Sequence, residues 1–478
     1  MPLSRAKNDH LYLYIADLIE RQIMEQVLNV GDKLPSVRNL STHHDISVST
    51  ALQAYYHLEG KGLIESRPQS GYYIKYNPSR FPQRLDKSKP SHSIQFKNVD
   101  AIISEVYEDW ADPKVIRFSL SVPASEMLPL AQLNKAMLQA VRELPANGTA
   151  YEPVKGNALL RRQIARWALN WEGTLDENDL ITTAGCMNAI SYCLMALTKR
   201  GDTIAVESPA YFGTLRLLNS MGLRVLELPT HPDTGVDPAD VKKALQKYDL
   251  KACLFVTNFS NPLGFCIPDD QKKELVRLLS FHGVPLIEDD LYGDVYYGKK
   301  RPKSCKSYDE EGNVLWCSSI SKTLAPGYRV GWVAPGKHYE QVKRLKLYHS
   351  ITSASVEQMT IANFLATGRY EHHLRKLRNM LHANCLHYTR AIGDYFPEGT
   401  KLSQPTGGFI LWVELPKQID TYQLYREAII HKISIAPGAM FSLQDRYQNC
   451  MRLSYGMPWS NELDRSLKKL GAVVKSMI

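Results

Sequence analysis

One segment divides this chain and limits what it can fold into. Residues 76–105, YNPSRFPQRLDKSKPSHSIQFKNVDAIISE, combine three prolines with serines and scattered basic residues, and no apolar period survives through the first half. Proline removes a backbone donor and fixes φ, so such a stretch reads as a semi-extended linker. The chain is then expected to fold as two parts, residues 1–75 and 106–478. Length agrees, since 478 residues exceed the ~250–300 at which one hydrophobic core stops growing.

In the first part, Ile15, Leu18, Ile19 and Ile23 fall on one helical face. The turn V-G-D-K-L-P-S follows, and Ser36 is placed to cap a short second helix through Leu40. Ser47 is placed to cap a third helix, in which Ala51, Tyr55 and Leu58 share a face and which Gly60 and Gly62 close. Two short strands, Leu63–Ser66 and Tyr72–Ile74, flank R-P-Q-S-G and predict a two-stranded ribbon. This order is that of a winged helix-turn-helix, mostly α with a small β wing. In such modules the start of the recognition helix faces base edges, here Ser47, Val48, Ser49, Thr50 and Gln53. Arg38 and Arg67 suit phosphates, and Gly71 lets the wing backbone approach a duplex. The net charge of +9 does not carry this reading, because residues 1–75 hold eight basic and eight acidic side chains. The segments L-P-S-V-R-N-L, S-V-S-T-A-L-Q-A-Y-Y-H-L-E-G-K-G-L-I and R-P-Q-S-G-Y-Y-I resemble the GntR family of transcriptional regulators. That family usually carries Arg where this chain has Val48, a residue suited to a thymine methyl.

After the linker, helical segments alternate with the apolar runs Ile204–Val206, Val225–Leu228, Leu254–Thr257, Pro285–Glu288 and Val314–Trp316. This predicts an α/β body with a largely parallel sheet covered on both faces. The large subdomain is expected over about 150–340, with a smaller α+β subdomain from 106–149 and 341–478.

Pyridoxal phosphate needs a lysine, an acid for its ring nitrogen, donors for its phenolic oxygen, a stacking aromatic and a phosphate cup. Lys322 in S-S-I-S-K-T-L-A-P-G-Y-R-V-G-W follows a strand within a turn rich in small residues, where Ser319, Ser321 and Arg329 are able to meet a phosphate. Asp289 in I-E-D-D-L-Y-G-D ends an apolar strand, where open sheets place ligands. Gly185, Cys186 and Met187 open a helix whose amides suit an anion. These segments closely resemble the fold type I aminotransferases. The resemblance implies the pyridoxal-phosphate-dependent transferase fold, with Lys322 as Schiff-base lysine, Ser319 and Arg329 on the phosphate, and Asp289 with Tyr292 in the D-x-x-Y pattern. It further implies that Asn261, in N-P-L-G, and Tyr292 bond the phenolic oxygen and that Tyr211 stacks on the ring. By the same resemblance Arg452 binds a substrate carboxylate, and Tyr151 reaches the phosphate of the neighbouring subunit, implying a homodimer. The family commonly shows Ser or Thr and Gln near Cys186 and Met187.

No run of ~18 apolar residues occurs, so no membrane partner is expected, and the N-terminus lacks the apolar block of a signal peptide. Eight cysteines without a C-x-x-C pair read as reduced thiols of a cytoplasmic protein, with no metal site. The joined halves resemble the MocR subfamily of bacterial regulators. That implies a DNA-binding regulator that holds pyridoxal phosphate, senses an amino acid or amine, and reads paired half-sites. Two other readings stay open: an active aminotransferase with an appended DNA-binding domain, and a sensor of pyridoxal phosphate itself.

Overall fold

The computed structural model describes residues 11–24, 27–60, 63–67, 70–75, 82–90 and 100–478. The expected helix-closing Gly62, the Pro68–Gln69 tip of the ribbon turn and linker residues 76–81 and 91–99 lie outside them.

The N-terminal unit has helices Leu11–Met24, Val37–His43 and Val48–Gly60, then an antiparallel ribbon pairing Ile64–Arg67 with Gly71–Ile74. Local chemistry sets these boundaries. The Ser36 hydroxyl accepts from Asn39 N at 3.2 Å, and Ser47 Oγ accepts from Thr50 N at 3.0 Å, each satisfying an otherwise orphaned first-turn amide. Ile15, Ile19 and Ile23 close on Leu40, Tyr55 and Leu58 in one core. The Tyr55 hydroxyl donates to Pro35 O at 2.6 Å, tying the recognition helix to the turn before the second helix.

The large subdomain is built on an eight-stranded sheet in the order Ile181–Thr183, Gly331–Ala334, Val314–Ser319, Leu286–Asp289, Leu250–Phe255, Thr203–Ser208, Arg224–His231, Gly235–Val236. Gly331–Ala334 runs antiparallel to both neighbours, the Gly235–Val236 edge strand is antiparallel, and the remaining pairings are parallel. The central strands are buried along their whole length, as expected of parallel strands covered on both faces. The small subdomain has a five-stranded sheet, Ala436–Pro437, Cys450–Ser454, Ile410–Glu414, Lys401–Leu402, Gln83–Arg84, backed by the helices Arg369–Tyr395 and Asn461–Ser476.

The expected linker 76–105 is not extended throughout. Gln83–Arg84 forms an edge strand on the small subdomain, and Asp100–Glu108 is a helix. Leu85 and Val106 are buried in the main core, and Ile102 and Ile103 pack against it. These apolar residues are too few and too widely spaced in a polar sequence to announce themselves as a period. Tertiary packing supplies what local pattern does not.

Candidate functional site

A cavity of about 160 Å³ lies at the carboxyl ends of the parallel strands. Asp289 ends one strand and Ser319 ends its neighbour, which brings residues far apart in sequence to one rim.

At one end the helix Cys186–Leu197 presents its N-terminus, with Gly185 as N-cap at φ 96° and ψ 169°. That conformation is essentially reserved for glycine. A Cβ at Gly185 would also come within 2.3 Å of Arg329 Nη2, so the bare backbone is what lets the arginine lie across the helix end. Arg329 Nη1 donates to Ser321 Oγ at 3.2 Å and Nη2 to Ala184 O at 3.3 Å, while Ser319 Oγ accepts from Ser321 N at 3.2 Å. A guanidinium, two hydroxyls and a helix N-terminus thus converge in a dianion cradle. Gly185→Ala introduces about 1–3 kcal/mol of backbone strain besides the contact. It is expected to weaken binding of the phosphate-bearing cofactor roughly tenfold or more, read by cofactor titration. Unchanged affinity would show that the phosphate sits elsewhere.

In the middle, burial pushes the Asp289 carboxyl up to about 6, against the hydrogen bond from Cys186 and the Lys322 charge, which hold it down. Cys186 Sγ donates to Asp289 Oδ1 at 3.3 Å, and burial raises the thiol further, so it stays protonated. The Cys186 side chain therefore serves the carboxylate, while Met187 lines the cavity beside it. Asp290 turns the other way, to Arg301 at 2.6 Å and Trp316 Nε1 at 2.9 Å, and is structural. Tyr211 lines the cavity, and burial raises its hydroxyl strongly.

Lys322 is half-buried with its side chain on the cavity. Its Nζ donates to the Ser121 carbonyl and lies 5.8 Å from the centroid of the Tyr292 ring. Desolvation lowers the amine to about 7, reinforced by the positive charge of Arg452, so an appreciable fraction is neutral and nucleophilic near neutral pH. The Tyr292 hydroxyl bonds Ser121 Oγ at 3.0 Å and receives Asn261 Nδ2 at 3.5 Å.

Arg452 lies behind the cavity wall, bonded to the lining residue Asn261. It is 1% exposed, and burial lowers its affinity for its proton. Nη1 donates to Asn261 Oδ1 at 3.2 Å and Nη2 to the Ser119 carbonyl, but Nε has no hydrogen-bond partner. A buried donor left unpaired costs roughly 1–3 kcal/mol, and a ligand carboxylate is the natural acceptor. Ten of the twelve cofactor residues expected from sequence line this cavity directly, and Gly185 abuts it through Arg329. Tyr151 does not line it, being 83% exposed on the surface.

Ser119, Ser121 and Tyr107 were not legible in the sequence. The first two act partly through backbone carbonyls, which no side-chain motif reports. Tyr107 comes from the helix Asp100–Glu108, within hydrogen-bonding reach of Tyr211 and with its ring 6.0 Å from that of Phe212. That helix is held by the large subdomain through Asp100–Arg216 at 3.0 Å and by the small one through Glu105–Tyr422 at 2.9 Å.

On the N-terminal unit, Arg38, Ser47, Val48, Ser49, Gln53, Arg67 and Gly71 are exposed and Thr50 is half-buried. Val48 is 51% exposed and faces outward from the recognition helix. Ser47, Ser49 and Thr50 hydroxyls bond one another at 2.7–2.8 Å, a pre-formed polar surface at the helix start. Arg67 pairs with Glu65 at 3.0 Å and stacks over Tyr73 at 4.3 Å, which fixes its direction. Val48→Arg is expected to strengthen DNA binding and steepen the log–log salt slope by about 0.9, one phosphate's worth. An unchanged slope would place position 48 away from the duplex.

Residues 114–470 match the model of the aminotransferase class I and II family, and residues 11–74 match that of the bacterial regulatory proteins of the gntR family. The chain belongs to the aminotransferase class I and II family. Its GntR-type head gives it a MocR-like architecture, and full-length relatives carry the name of HTH-type transcriptional regulators. The uncharacterized HTH-type transcriptional regulator YjiR of Escherichia coli (strain K12) is 36% identical over 97% of this chain and 98% of its own length. YdcR of the same organism is 35% identical over 98% of this chain and 99% of its own. Among solved structures, the α-aminoadipate aminotransferase LysN of Thermus thermophilus, complexed with N-(5'-phosphopyridoxyl)-L-leucine, superposes with a TM-score of 0.72. It shares 24% identity and covers 78% of this chain and 94% of its own, which establishes the aminotransferase fold of the body. Pyridoxal phosphate is the cofactor of this family, and the donor set described above fits it at every end.

Proposed function

We propose that this protein is a transcriptional regulator that reads paired DNA half-sites as a homodimer and senses an amino acid or amine at a pyridoxal-phosphate site. The observation that carries the sensing half is the buried, unpaired Nε of Arg452, whose guanidinium is bonded through Nη1 to Asn261 on the wall of the cavity that holds Lys322. Lys322 is the residue that bonds the cofactor, and Asp289 keeps a proton on its ring nitrogen. Asn261 and Tyr292 bond its phenolic oxygen, and Tyr211 covers its ring. Gly185, Cys186 and Met187 contribute helix-end amides to its phosphate, beside Ser319, Ser321 and Arg329. Once bound, pyridoxal phosphate supplies an electrophilic carbon that exchanges amines and a ring that accepts electron density. Arg452 then selects amines that carry a carboxylate.

The exposed Tyr151 is the group that reaches the site of a second subunit. Two winged helices in one dimer raise effective affinity for paired half-sites. The GntR-type head and relatives named as transcriptional regulators support a place on DNA in the bacterial cytoplasm. Among the described residues no helix is long and apolar enough to cross a membrane. A second reading, turnover as an aminotransferase, is favoured by the completeness of the same side-chain set.

Selection of DNA from a random pool by the cofactor-loaded protein, with sedimentation of the complex, tests this. A dimer on two related half-sites is expected. A loaded monomer, or selection of no common sequence, overturns it.

A further inference from the structure

Residues 82–90 stand in sequence between the winged helix and the body, and they are bonded to both subdomains of the body. On the small subdomain, Gln83–Arg84 pairs in parallel with Lys401–Leu402. Lys401 holds Asp86 at 2.5 Å, and Arg446 donates to the Lys89 carbonyl. On the large subdomain, Ser88 N donates to Thr230 O at 3.0 Å and Thr230 N to Ser88 Oγ at 2.8 Å. Lys87 pairs with Asp240 at 2.8 Å and Arg84 with Asp233 at 3.6 Å. Leu85 is buried beneath them.

These bonds lead toward the cavity. Thr230 Oγ1 accepts from Ser208 N at 2.9 Å, and Ser208 leads through Pro209 and Ala210 to Tyr211 on the cavity wall. The Ser208 hydroxyl also lies 2.9 Å from the Tyr447 hydroxyl of the small subdomain. The ligand groups divide in the same way, with Arg452 on the small subdomain and Lys322 and Asp289 on the large. A ligand that engages both sets joins the two subdomains, and any change in how they sit on one another bears on whatever is bonded to both. An element hydrogen-bonded to each of them cannot keep both sets of bonds through such a change. A tether, by contrast, acts through reach alone.

We propose that residues 82–90 are a docked strap that converts the ligand-dependent setting of the two subdomains into a change in how the winged helices are held. This rests on the amino-acid-sensing reading above and supplies its route. Coupling passes through a physical element that both sites bias.

The test uses the full-length, cofactor-loaded protein and aminooxyacetate, a carboxylate-bearing oxyamine that reacts with bound pyridoxal phosphate. In the wild type, aminooxyacetate is expected to change DNA affinity at least about fivefold. In the double variant Lys87→Ala, Ser88→Ala, the absorbance change with aminooxyacetate is expected to persist while the DNA response falls below about twofold. Ser88→Thr, which keeps the hydroxyl, is expected to retain the response. A double variant that responds like the wild type overturns the strap. A wild type that reacts with aminooxyacetate without any change in DNA binding overturns the sensing reading, and the strap with it. Should the double variant lose its cofactor, hydrogen exchange on the wild type decides. Protected amides in 82–90 that change with aminooxyacetate support the strap, and exchange at free-chain rates overturns it.

Discussion

Lys322→Ala is expected to abolish covalent retention of pyridoxal phosphate. Borohydride-reducible cofactor should fall from about one per chain to none, with the reduced adduct of the wild type on the peptide containing position 322. The reason is local. Lys322 reaches the cavity, its amine is brought to about 7 by burial, and the Ser121 carbonyl holds it. Lys346 is a control inside the same protein, because burial lowers its amine too, to about 8, yet it donates to Thr182 Oγ1 at 3.3 Å and is not on the cavity. Depression alone therefore does not make the site. The pH dependence follows from the sign of the shift. A base lowered to about 7 is cationic below that pH and neutral above it, so cofactor capture should rise as pH increases through 7 and level off beyond. An unperturbed lysine would keep gaining up to ~10.4. A reducible adduct surviving in Lys322→Ala would contradict the assignment.

Arg452→Ala should leave the cofactor absorbance in place and weaken binding of carboxylate-bearing amines at least tenfold. Losing a bidentate, charge-assisted pair costs roughly 1.5–3 kcal/mol. Removing the side chain also strands Asn261 Oδ1 and the Ser119 carbonyl, which now accept from it. Arg452→Lys separates the two effects, since it restores charge without the planar fork and should recover part of the loss. Spectral titration with paired amines, one with and one without a carboxylate, reads the result. Equal weakening of both would assign Arg452 to the architecture of the site alone.

Much of this was legible in the sequence because the chemistry sits in short segments. The Lys322 turn, the Asp289 strand end and the Gly185 helix start each carry their function within a few neighbouring residues, and the D-x-x-Y spacing to Tyr292 separates Asp289 from Asp290. The three-helix order of the head was legible because its core residues repeat at helical spacing and Ser36 and Ser47 cap their helices. What escaped was non-local. Ser119 and Ser121 act partly through carbonyl groups placed by the fold, and Cys186 turns to Asp289 instead of joining the phosphate cradle with its side chain. The strap 82–90 escaped for another reason. Proline and serine content describes how a free segment behaves, whereas Ser88 and Lys87 are held by Thr230 and Asp240, more than a hundred positions away in sequence.

The account stands most directly on the DNA affinity of the cofactor-loaded wild type, measured with and without each common amino acid, alongside turnover under the same conditions. It predicts sequence-specific binding whose strength changes with at least one carboxylate-bearing amine, and turnover well below ordinary enzyme rates. Affinity that followed pyridoxal phosphate alone would make the cofactor the signal. Turnover above ~1 per second together with no sequence-specific DNA binding would contradict the account.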